Sequence, residues 1–280
     1  AHGLPYVTVV FAFITFTGAL KSEFKDILRV FHDPKPLLCM LVMIHVVIPA
    51  AACGAGHLFF GSDPYAITGM VLEFSVPTAV VGLMWVTIYN GNNPLSLSLV
   101  VIDTILSPFL IPVTLRVLVG SQVEIDATMM MRQLIFMVAL PAIAAMVLNQ
   151  VTHGAVKNTW PKKLALFSKF ALMFVVTSNS SKVAPYVRHM NLERVAIGAA
   201  ILVLAAGSYA LGWGVAKVLR QDKETTISMI YGTGMRNISA GAVIAGACFP
   251  GAVMYPVMIG TLFQQVLAAF YGKALVSKLE

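Results

Sequence analysis

The chain has 280 residues, of which 58% are apolar and 11% are charged, and its mean hydropathy is +0.84. A soluble domain carries about 25% charged residues, so the composition excludes a soluble globular protein. The formal charge of +7 does not indicate a nucleic-acid partner, because the Lys and Arg residues gather in a few loops, as they do in membrane proteins. Apolar runs of about 17–28 residues indicate helices that cross a lipid bilayer, since barrel strands would alternate over only about 10 residues.

Proline residues and charged clusters divide the chain into nine predicted transmembrane helices of an all-α, polytopic membrane protein. The charged segment 22–35 is amphipathic and is predicted to lie along the membrane interface. Basic residues fill the first, fifth and seventh loops and the C-terminal tail, and such residues favour the cytoplasmic side. The end that begins at residue 1 is therefore predicted to lie outside the cell, and the end at residue 280 in the cytoplasm. The predicted spans are approximately 4–20, 36–60, 64–90, 94–119, 125–152, 163–187, 191–219, 224–248 and 251–277.

The eighth span contains the most unusual stretch, ISMIYGTGMRNISAGAVIAGAC over residues 227–248. An arginine in the middle of a membrane helix costs about 2.5–3.5 kcal/mol even on lenient insertion scales, so Arg236 is a candidate functional residue. Gly232 and Gly234 precede it, and glycine gives the backbone freedom to unwind. We therefore predict a helix break at these glycines.

The third span can be aligned with the eighth without gaps, residues 66–80 on residues 225–239. Proline breaks a helix, and Pro77 falls on Arg236, so both spans are predicted to break at equivalent places. Interrupted spans in corresponding positions point to the binding site of a transporter. Five spans separate the two, so one transmembrane transporter domain over 1–280 is predicted to contain inverted repeats of about 1–120 and 125–280. The first repeat is one helix short, so either the design has nine spans or a further helix precedes it.

Three segments resemble the bile acid/sodium symporter family. Residues 232–249, GTGMRNISAGAVIAGACF, resemble its ExGMQN-type crossover segment, and residues 90–113 and 16–35 resemble the segments that follow and enter its first crossover. The resemblance covers nearly the whole chain in order and spacing. It implies a panel domain and a core domain, with two broken helices crossing behind a cavity. It also implies alternating access for an organic anion, such as a bile acid or a pantoate-like carboxylate, driven by sodium.

The chain departs from the family where sodium would bind. Gly232 replaces the glutamate of the crossover motif, and Arg236 replaces its glutamine. Where the family carries two glycines, a Ser-Asn pair and a threonine, this chain has Thr78, Ala79, Gly82, Leu83 and Val100. Sodium is a hard cation that prefers oxygen ligands, so the sequence predicts that these sites are lost. No cofactor or metal site is predicted, although a bound sodium ion is left open. Arg236 is instead predicted to take the place of the cation and to attract a carboxylate.

The candidate residues each have a structural alternative. Arg236 is either a substrate-binding residue or one half of a structural ion pair with Glu73 or Asp103. Glu73 and Asp103 are the candidate charge partners, and either is also a candidate for proton coupling. Asn237 either orients the substrate or caps a helix. His45, alone on an apolar helix, is interpreted as a satisfied buried imidazole rather than a proton relay. The predicted substrate-binding set is Arg236, Asn237, Thr233, Ser239 and Thr78, and the predicted helix breaks are Pro77, Gly232 and Gly234.

These features favour a secondary transporter of an organic anion that works by alternating access in a bacterial inner membrane. The alternatives are a proton-coupled, uniport or exchange carrier, a channel, and a membrane sensor that binds ligand without transport. An enzyme is not expected, because neither an HExxH nor a GxSxG motif is present. The partners are then a small organic anion and the lipid bilayer, and the oligomeric state is left open.

Overall fold

A computed structural model describes residues 4–20, 22–23, 34–121 and 123–274. Within these residues the chain forms helices and short connections, with a single isolated β-bridge, so the predicted all-α class is confirmed. The helices are α1 Leu4–Ala19, α2 Lys35–Phe60, α3 Pro64–Ser75, α4 Val80–Ile88, α5 Asn93–Val119, α6 Ala127–Val151, α7 Ala155–Arg188, α8 Leu192–Val218, α9 Lys223–Gly234, α10 Ile238–Cys248 and α11 Gly251–Ala274.

Six of these helices, α2, α5, α6, α7, α8 and α11, contain segments long and apolar enough to cross a membrane. Large apolar side chains are exposed along α7, including Phe167, Phe170 and Met173, which is the surface expected of a helix that faces lipid. The other three predicted spans correspond to α1 and to the pairs α3–α4 and α9–α10. A count of nine crossings therefore stays a prediction.

One predicted boundary changes by several residues, and one predicted segment is not described. α7 begins at Ala155 rather than at residue 163, because the chain turns at Gly154, where φ is +83°, and Pro161 is accommodated inside the helix. The predicted interfacial segment 22–35 lies largely outside the described residues, which omit 24–33.

The two broken spans match each other closely. The gapless alignment places Pro64 on Lys223 and Ser75 on Gly234, and these residues are the ends of α3 and α9. Each of these helices has 12 residues, and each begins after an aspartate whose side chain accepts hydrogen bonds from backbone N–H groups. Such a cap satisfies donors that a helix start leaves free. The division of the whole chain into two repeats remains a prediction.

The breaks cover residues 76–79 and 235–237. The first contains Pro77 as predicted, but the second follows the two glycines instead of including them. Gly232 lies inside α9 and Gly234 is its last residue. These glycines are needed for their small size rather than for backbone flexibility. A Cβ on Gly234 would lie 2.3 Å from the ring of Tyr209, and a Cβ on Gly232 would lie 2.7 Å from the side chain of Leu99. The break therefore begins directly after Gly234, as predicted for that glycine, whereas Gly232 lies within the last turn of the helix.

The two breaks meet in an antiparallel bridge between Thr78 and Arg236. The N–H of Ala79 donates to the carbonyl oxygen of Met235 at 3.1 Å, and the N–H of Asn237 donates to the carbonyl oxygen of Pro77 at 2.8 Å. Backbone groups freed inside a membrane protein need internal partners, and here each break supplies them to the other. The predicted crossing of two broken helices is thus present.

The other helices surround this crossing in a paired arrangement. α5 packs on α3, α4 and α9, whereas α11 packs on α3 and α10; α2 lies against α3, and α8 lies against α9. Outside this set, α1 packs on α6 and α7. The helices therefore form a larger group around the crossing and a smaller group of α1, α6 and α7.

Contacts between loops show which helix ends lie together. Lys157, at the start of α7, donates to the carboxylate of Glu23, which follows α1, at 2.6 Å. The side-chain N–H of Asn149 donates to the backbone oxygens of Leu20 and Ser22. The first and fifth loops thus lie at one end of the bundle, as the charge pattern requires. The orientation of that end in a membrane stays a prediction.

Candidate functional site at the helix crossing

Arg236 lies in the second break and is 2% exposed. Its backbone N–H donates to Oε1 of Gln264 at 2.9 Å. Its Nε and both terminal nitrogens have no hydrogen-bond partner among the residues that the structure describes. The carboxylates of Asp103 and Glu73 are near enough to act on it electrostatically, but neither forms an ion pair with it there. The alternative of a structural ion pair is therefore not observed, and a buried cation is left without a direct partner.

Asp103, on α5, is fully buried and uses both carboxylate oxygens. Oδ1 lies 2.6 Å from Nε2 of His45, and Oδ2 accepts a hydrogen bond from the backbone N–H of Thr78 at 2.6 Å. Asp103 thus caps the first break as Gln264 caps the second. The predicted charge partner is a part of the crossing, and its direct partner is His45 rather than Arg236.

Sequence reasoning interpreted His45 as a buried imidazole but did not identify its partner. His45 is 7% exposed in the middle of the π-helical turn Met43–Val47. It is separated from Asp103 by 58 positions and lies on another helix, so no local pattern connects the two. The available signal was the occurrence of two ionisable side chains in otherwise apolar spans, a combination that is rare unless the groups pair.

Glu73, the second predicted charge partner, is 3% exposed near the end of α3. Oε2 has no hydrogen-bond partner among the described residues. Oε1 lies against Gly260 of α11, where any Cβ would overlap it. A carboxyl group is thus held inside the protein with an unsatisfied oxygen, in a space that only glycine at position 260 leaves open.

Two predicted substrate-binding hydroxyl groups are engaged inside the protein. The hydroxyl of Thr78 donates to the carbonyl oxygens of Gly232 at 2.9 Å and Met235 at 3.2 Å, so it joins the two broken spans. The hydroxyl of Thr233 lies 2.8 Å from the carbonyl oxygen of Met229 in its own helix, and faces α8. Both side chains are buried. Both hydroxyl groups therefore have partners inside the protein, and their assignment as substrate ligands stays a prediction.

Asn237 and Ser239 are half-buried at the start of α10. Oδ1 of Asn237 accepts a hydrogen bond from the N–H of Ala240 at 3.2 Å, so Asn237 is the N-cap that the sequence offered as its alternative role. A helix N-terminus attracts anions through its free N–H groups and its dipole. The start of α10, next to the cation of Arg236, is the most favourable place for an anion at the crossing.

A cavity of about 430 Å³ lies at the other end of α10, and its walls include Thr8 of α1 and Arg132, Gln133 and Phe136 of α6. The thiol of Cys248, the last residue of α10, contacts Oε1 of Gln133 at 3.3 Å. The 11 residues of α10 span roughly 16 Å, so this contact lies about that far along the helix from the crossing. None of the cavity residues was singled out from the sequence.

Comparison with known proteins places this arrangement in a family. A family model described as the sodium bile acid symporter family matches residues 8–190. The chain is 41% identical over 263 residues to "Uncharacterized protein YbaS" of Bacillus subtilis, which covers 94% of this chain and 86% of that protein. The chain therefore belongs to the sodium bile acid symporter family and is an integral membrane protein.

Two more distant relatives carry functional names. The chain is 22% identical to "Uncharacterized sodium-dependent transporter YocS" of Bacillus subtilis, over 98% of this chain and 85% of that protein. It is also 22% identical to "Probable sodium/metabolite cotransporter BASS3, chloroplastic" of Oryza sativa subsp. japonica, over 94% of this chain and 62% of that protein. The family membership predicted from the crossover segment is confirmed.

Proposed function

We propose that the protein is a secondary active transporter that moves an organic anion across a bacterial inner membrane by alternating access. The observation that carries this proposal is the crossing of two broken helices around Arg236, whose guanidinium nitrogens have no hydrogen-bond partner among the described residues. Paired interruptions of this kind mark substrate sites in transporters. A buried cation without a partner favours an anion as the substrate.

Arg236 acts through its charge, because its side chain is buried, whereas Asn237 and Ser239 are partly exposed and contact the substrate. The anion lies at the start of α10, where the helix dipole and the guanidinium both favour negative charge. In this arrangement the carboxylate of the substrate neutralises a charge that the protein has already buried.

Sodium does not occupy the crossing in this proposal. Gly232 offers no side-chain oxygen where the family carries glutamate, and the positive charge of Arg236 opposes a cation beside it. The sodium dependence that some relatives' names state is therefore not expected to operate through this site.

The movement is proposed to occur between the two groups of helices. The group of α1, α6 and α7 corresponds to the panel domain of the family, and the helices around the crossing correspond to the core. The cavity between α1 and α6 touches the end of α10, so it is the natural aqueous approach. Displacement of one group against the other would expose the start of α10 to each side in turn.

The first experiment is a thermal-shift screen of carboxylates, with pantoate and taurocholate among them, in sodium and sodium-free buffer. Counterflow of the stabilising carboxylate is then measured in proteoliposomes for the wild type and Arg236→Gln. Loss of a charge-assisted interaction of about 1.5–3 kcal/mol should weaken apparent affinity by a factor of roughly 10 to 150. Arg116→Gln, an exposed arginine on α5, is the matched control.

Unchanged counterflow in Arg236→Gln would remove Arg236 from the mechanism. Binding without counterflow in the wild type would identify a membrane sensor instead of a transporter. Counterflow that requires sodium in the wild type, and is equally strong without Arg236, would restore the sodium mechanism of the family.

A further inference from the structure

His45 and Asp103 form a buried acid–base pair that the proposed anion site does not use. Nε2 of His45 lies 2.6 Å from Oδ1 of Asp103, and the two side chains are 7% and 0% exposed. Nδ1 of His45 is buried and has no hydrogen-bond partner within the described part of the chain. One nitrogen of the imidazole is therefore engaged by a carboxylate, while the other is able to take up a proton.

The backbone around His45 is also unusual. His45 is the central residue of the π-helical turn Met43–Val47, a geometry that often occurs at functional sites. α6 has a similar turn at Ile135–Ala139, which contains no ionisable side chain. A π-helical turn alone therefore does not mark a functional site. His45 is a candidate because it is a titratable residue in such a turn and contacts a carboxylate on α5.

The pair is connected to the helix crossing by a short chain of contacts. The other oxygen of Asp103 accepts the backbone N–H of Thr78, and Thr78 forms the bridge with Arg236. The hydroxyl of Thr78 holds the carbonyl oxygen of Gly232 near the end of α9. A change in the charge of the pair therefore acts directly on the segment where the two broken helices cross.

The local charges favour the uptake of one proton. Arg236, in the second break, is near enough to Asp103 to act on it electrostatically, and Glu73 from α3 and Tyr209 from α8 act on Arg236 in turn. With both carboxylates ionised and the imidazole neutral, this cluster carries one net negative charge. One proton on the pair makes it neutral, and a buried cluster is most stable without net charge.

We propose that the His45–Asp103 pair is a proton-binding site and that the proton is the coupling ion. This inference rests on the proposed anion transport. An anion that binds beside Arg236 adds one negative charge, so it binds better to the protonated, neutral cluster than to the negative one. Coupling between two sites is reciprocal, so the anion also strengthens proton binding, and the two move in the same direction as a symport.

The proton site can be tested without any substrate. Histidine-selective ¹⁵N NMR of the detergent-solubilised full chain follows the six histidines as the pH changes. The His45 signal is assigned by its loss in His45→Gln, or by replacing the other five histidines if that variant does not fold. We expect the His45 signal to change between imidazolium and neutral imidazole within the pH range over which the protein stays folded, with an altered profile in Asp103→Asn. A single protonation state throughout that range would overturn the proposal.

Coupling is tested in proteoliposomes with radiolabelled pantoate, or with the carboxylate that gives counterflow. An inward proton gradient without sodium should accelerate uptake by the wild type by about tenfold, within the usual range of coupling between sites. His45→Gln and Asp103→Asn should lose this acceleration, whereas His57→Gln, an exposed histidine on the same helix, should keep it. Asp103→Asn removes the charge but retains an oxygen that can accept the hydrogen bond from the N–H of Thr78. This variant therefore distinguishes loss of the carboxylate charge from loss of the hydrogen bond that caps the first break.

Different results would contradict the anion-transport proposal and the proton-coupling proposal. Absence of counterflow for every carboxylate would contradict anion transport, while the NMR titration would still decide whether the pair binds a proton. Counterflow that ignores the proton gradient, or a His45→Gln variant that responds to it as the wild type does, would leave anion transport in place and overturn proton coupling.

Discussion

Four ionisable side chains, those of His45, Glu73, Asp103 and Arg236, are buried at or beside the helix crossing. Asp103 contacts Nε2 of His45. Nδ1 of His45, the guanidinium nitrogens of Arg236 and one oxygen of Glu73 lack hydrogen-bond partners among the described residues. Burying a charge without a hydrogen-bonded partner is costly. A protein that retains such groups uses them in another state, and the proposed bound anion and bound proton are the groups that would complete them.

Glycines near the crossing show how residue size controls the packing. Gly234→Ala is expected to destabilise the protein by about 1–3 kcal/mol, because overpacking a filled core forces neighbours to move. The new methyl group would lie 2.3 Å from the ring of Tyr209, and Tyr209 is fully buried. The melting temperature of the purified protein, followed by intrinsic fluorescence, should fall.

Two other glycines are controls for this prediction. A Cβ on Gly232 would meet the flexible side-chain ends of Leu99 and Met40, so Gly232→Ala should cost less than Gly234→Ala. A Cβ on Gly214, in the helix that carries Tyr209, would meet nothing within 4 Å. Gly214→Ala should leave the melting temperature nearly unchanged. Equal effects of the three substitutions would contradict the steric explanation.

At the scale of helices, each broken span depends on polar groups from its neighbours. Asp103 of α5 receives the N–H of Thr78, and Gln264 of α11 receives the N–H of Arg236. The two donors are the residues of the bridge between the breaks. One polar side chain on each flanking helix thus satisfies one backbone group of each break, so the breaks are fixed features of the fold.

Thr78→Val tests this arrangement. It removes the hydroxyl that donates to Gly232 and leaves a buried carbonyl oxygen at the end of α9 without that donor, a change that costs about 1–3 kcal/mol. The melting temperature should therefore fall. In the control, Thr68→Val, the lost hydroxyl donates only to Pro64 in its own helix, so the loss should be smaller. A control as destabilised as Thr78→Val would show that the hydroxyl does not hold the crossing.

At the scale of the whole molecule, contacts between loops show which connections between helices lie side by side. The salt bridge from Lys157 to Glu23 joins the fifth loop to the first, and the hydroxyl of Ser228 donates to the carbonyl oxygen of Asn92 between the starts of α9 and α5. The positively charged loops are the first, the fifth and the seventh, and they are predicted to face the cytoplasm.

Cysteine labelling tests this orientation. In a variant without Cys39, Cys53 and Cys248, the exposed positions Ser62 and Lys162 are each replaced by cysteine. A membrane-impermeant maleimide added to intact bacterial cells should label Ser62→Cys, and should reach Lys162→Cys only after permeabilisation. The reverse pattern would invert the predicted topology, and labelling of both from outside would contradict the count of crossings between them.

Much of this protein was determined by the sequence alone. Hydropathy and proline positions gave the helices, because both act through neighbouring residues along the chain. The alignment of residues 66–80 with 225–239 predicted that the two spans break at equivalent places, where α3 and α9 end. The family resemblance implied that the two broken helices cross. Arg236, Glu73 and Asp103 were found because charge in an apolar span is rare enough to be informative.

Only the tertiary structure decided which groups meet. The contact between His45 and Asp103, the packing of Gly234 on Tyr209 and the internal hydrogen bonds of Thr233 each depend on how two separate helices are rotated and shifted against each other. That register is set by the packing of all the surrounding side chains. A sequence read one helix at a time contains the residues of the site, but the bundle alone determines which of them become partners.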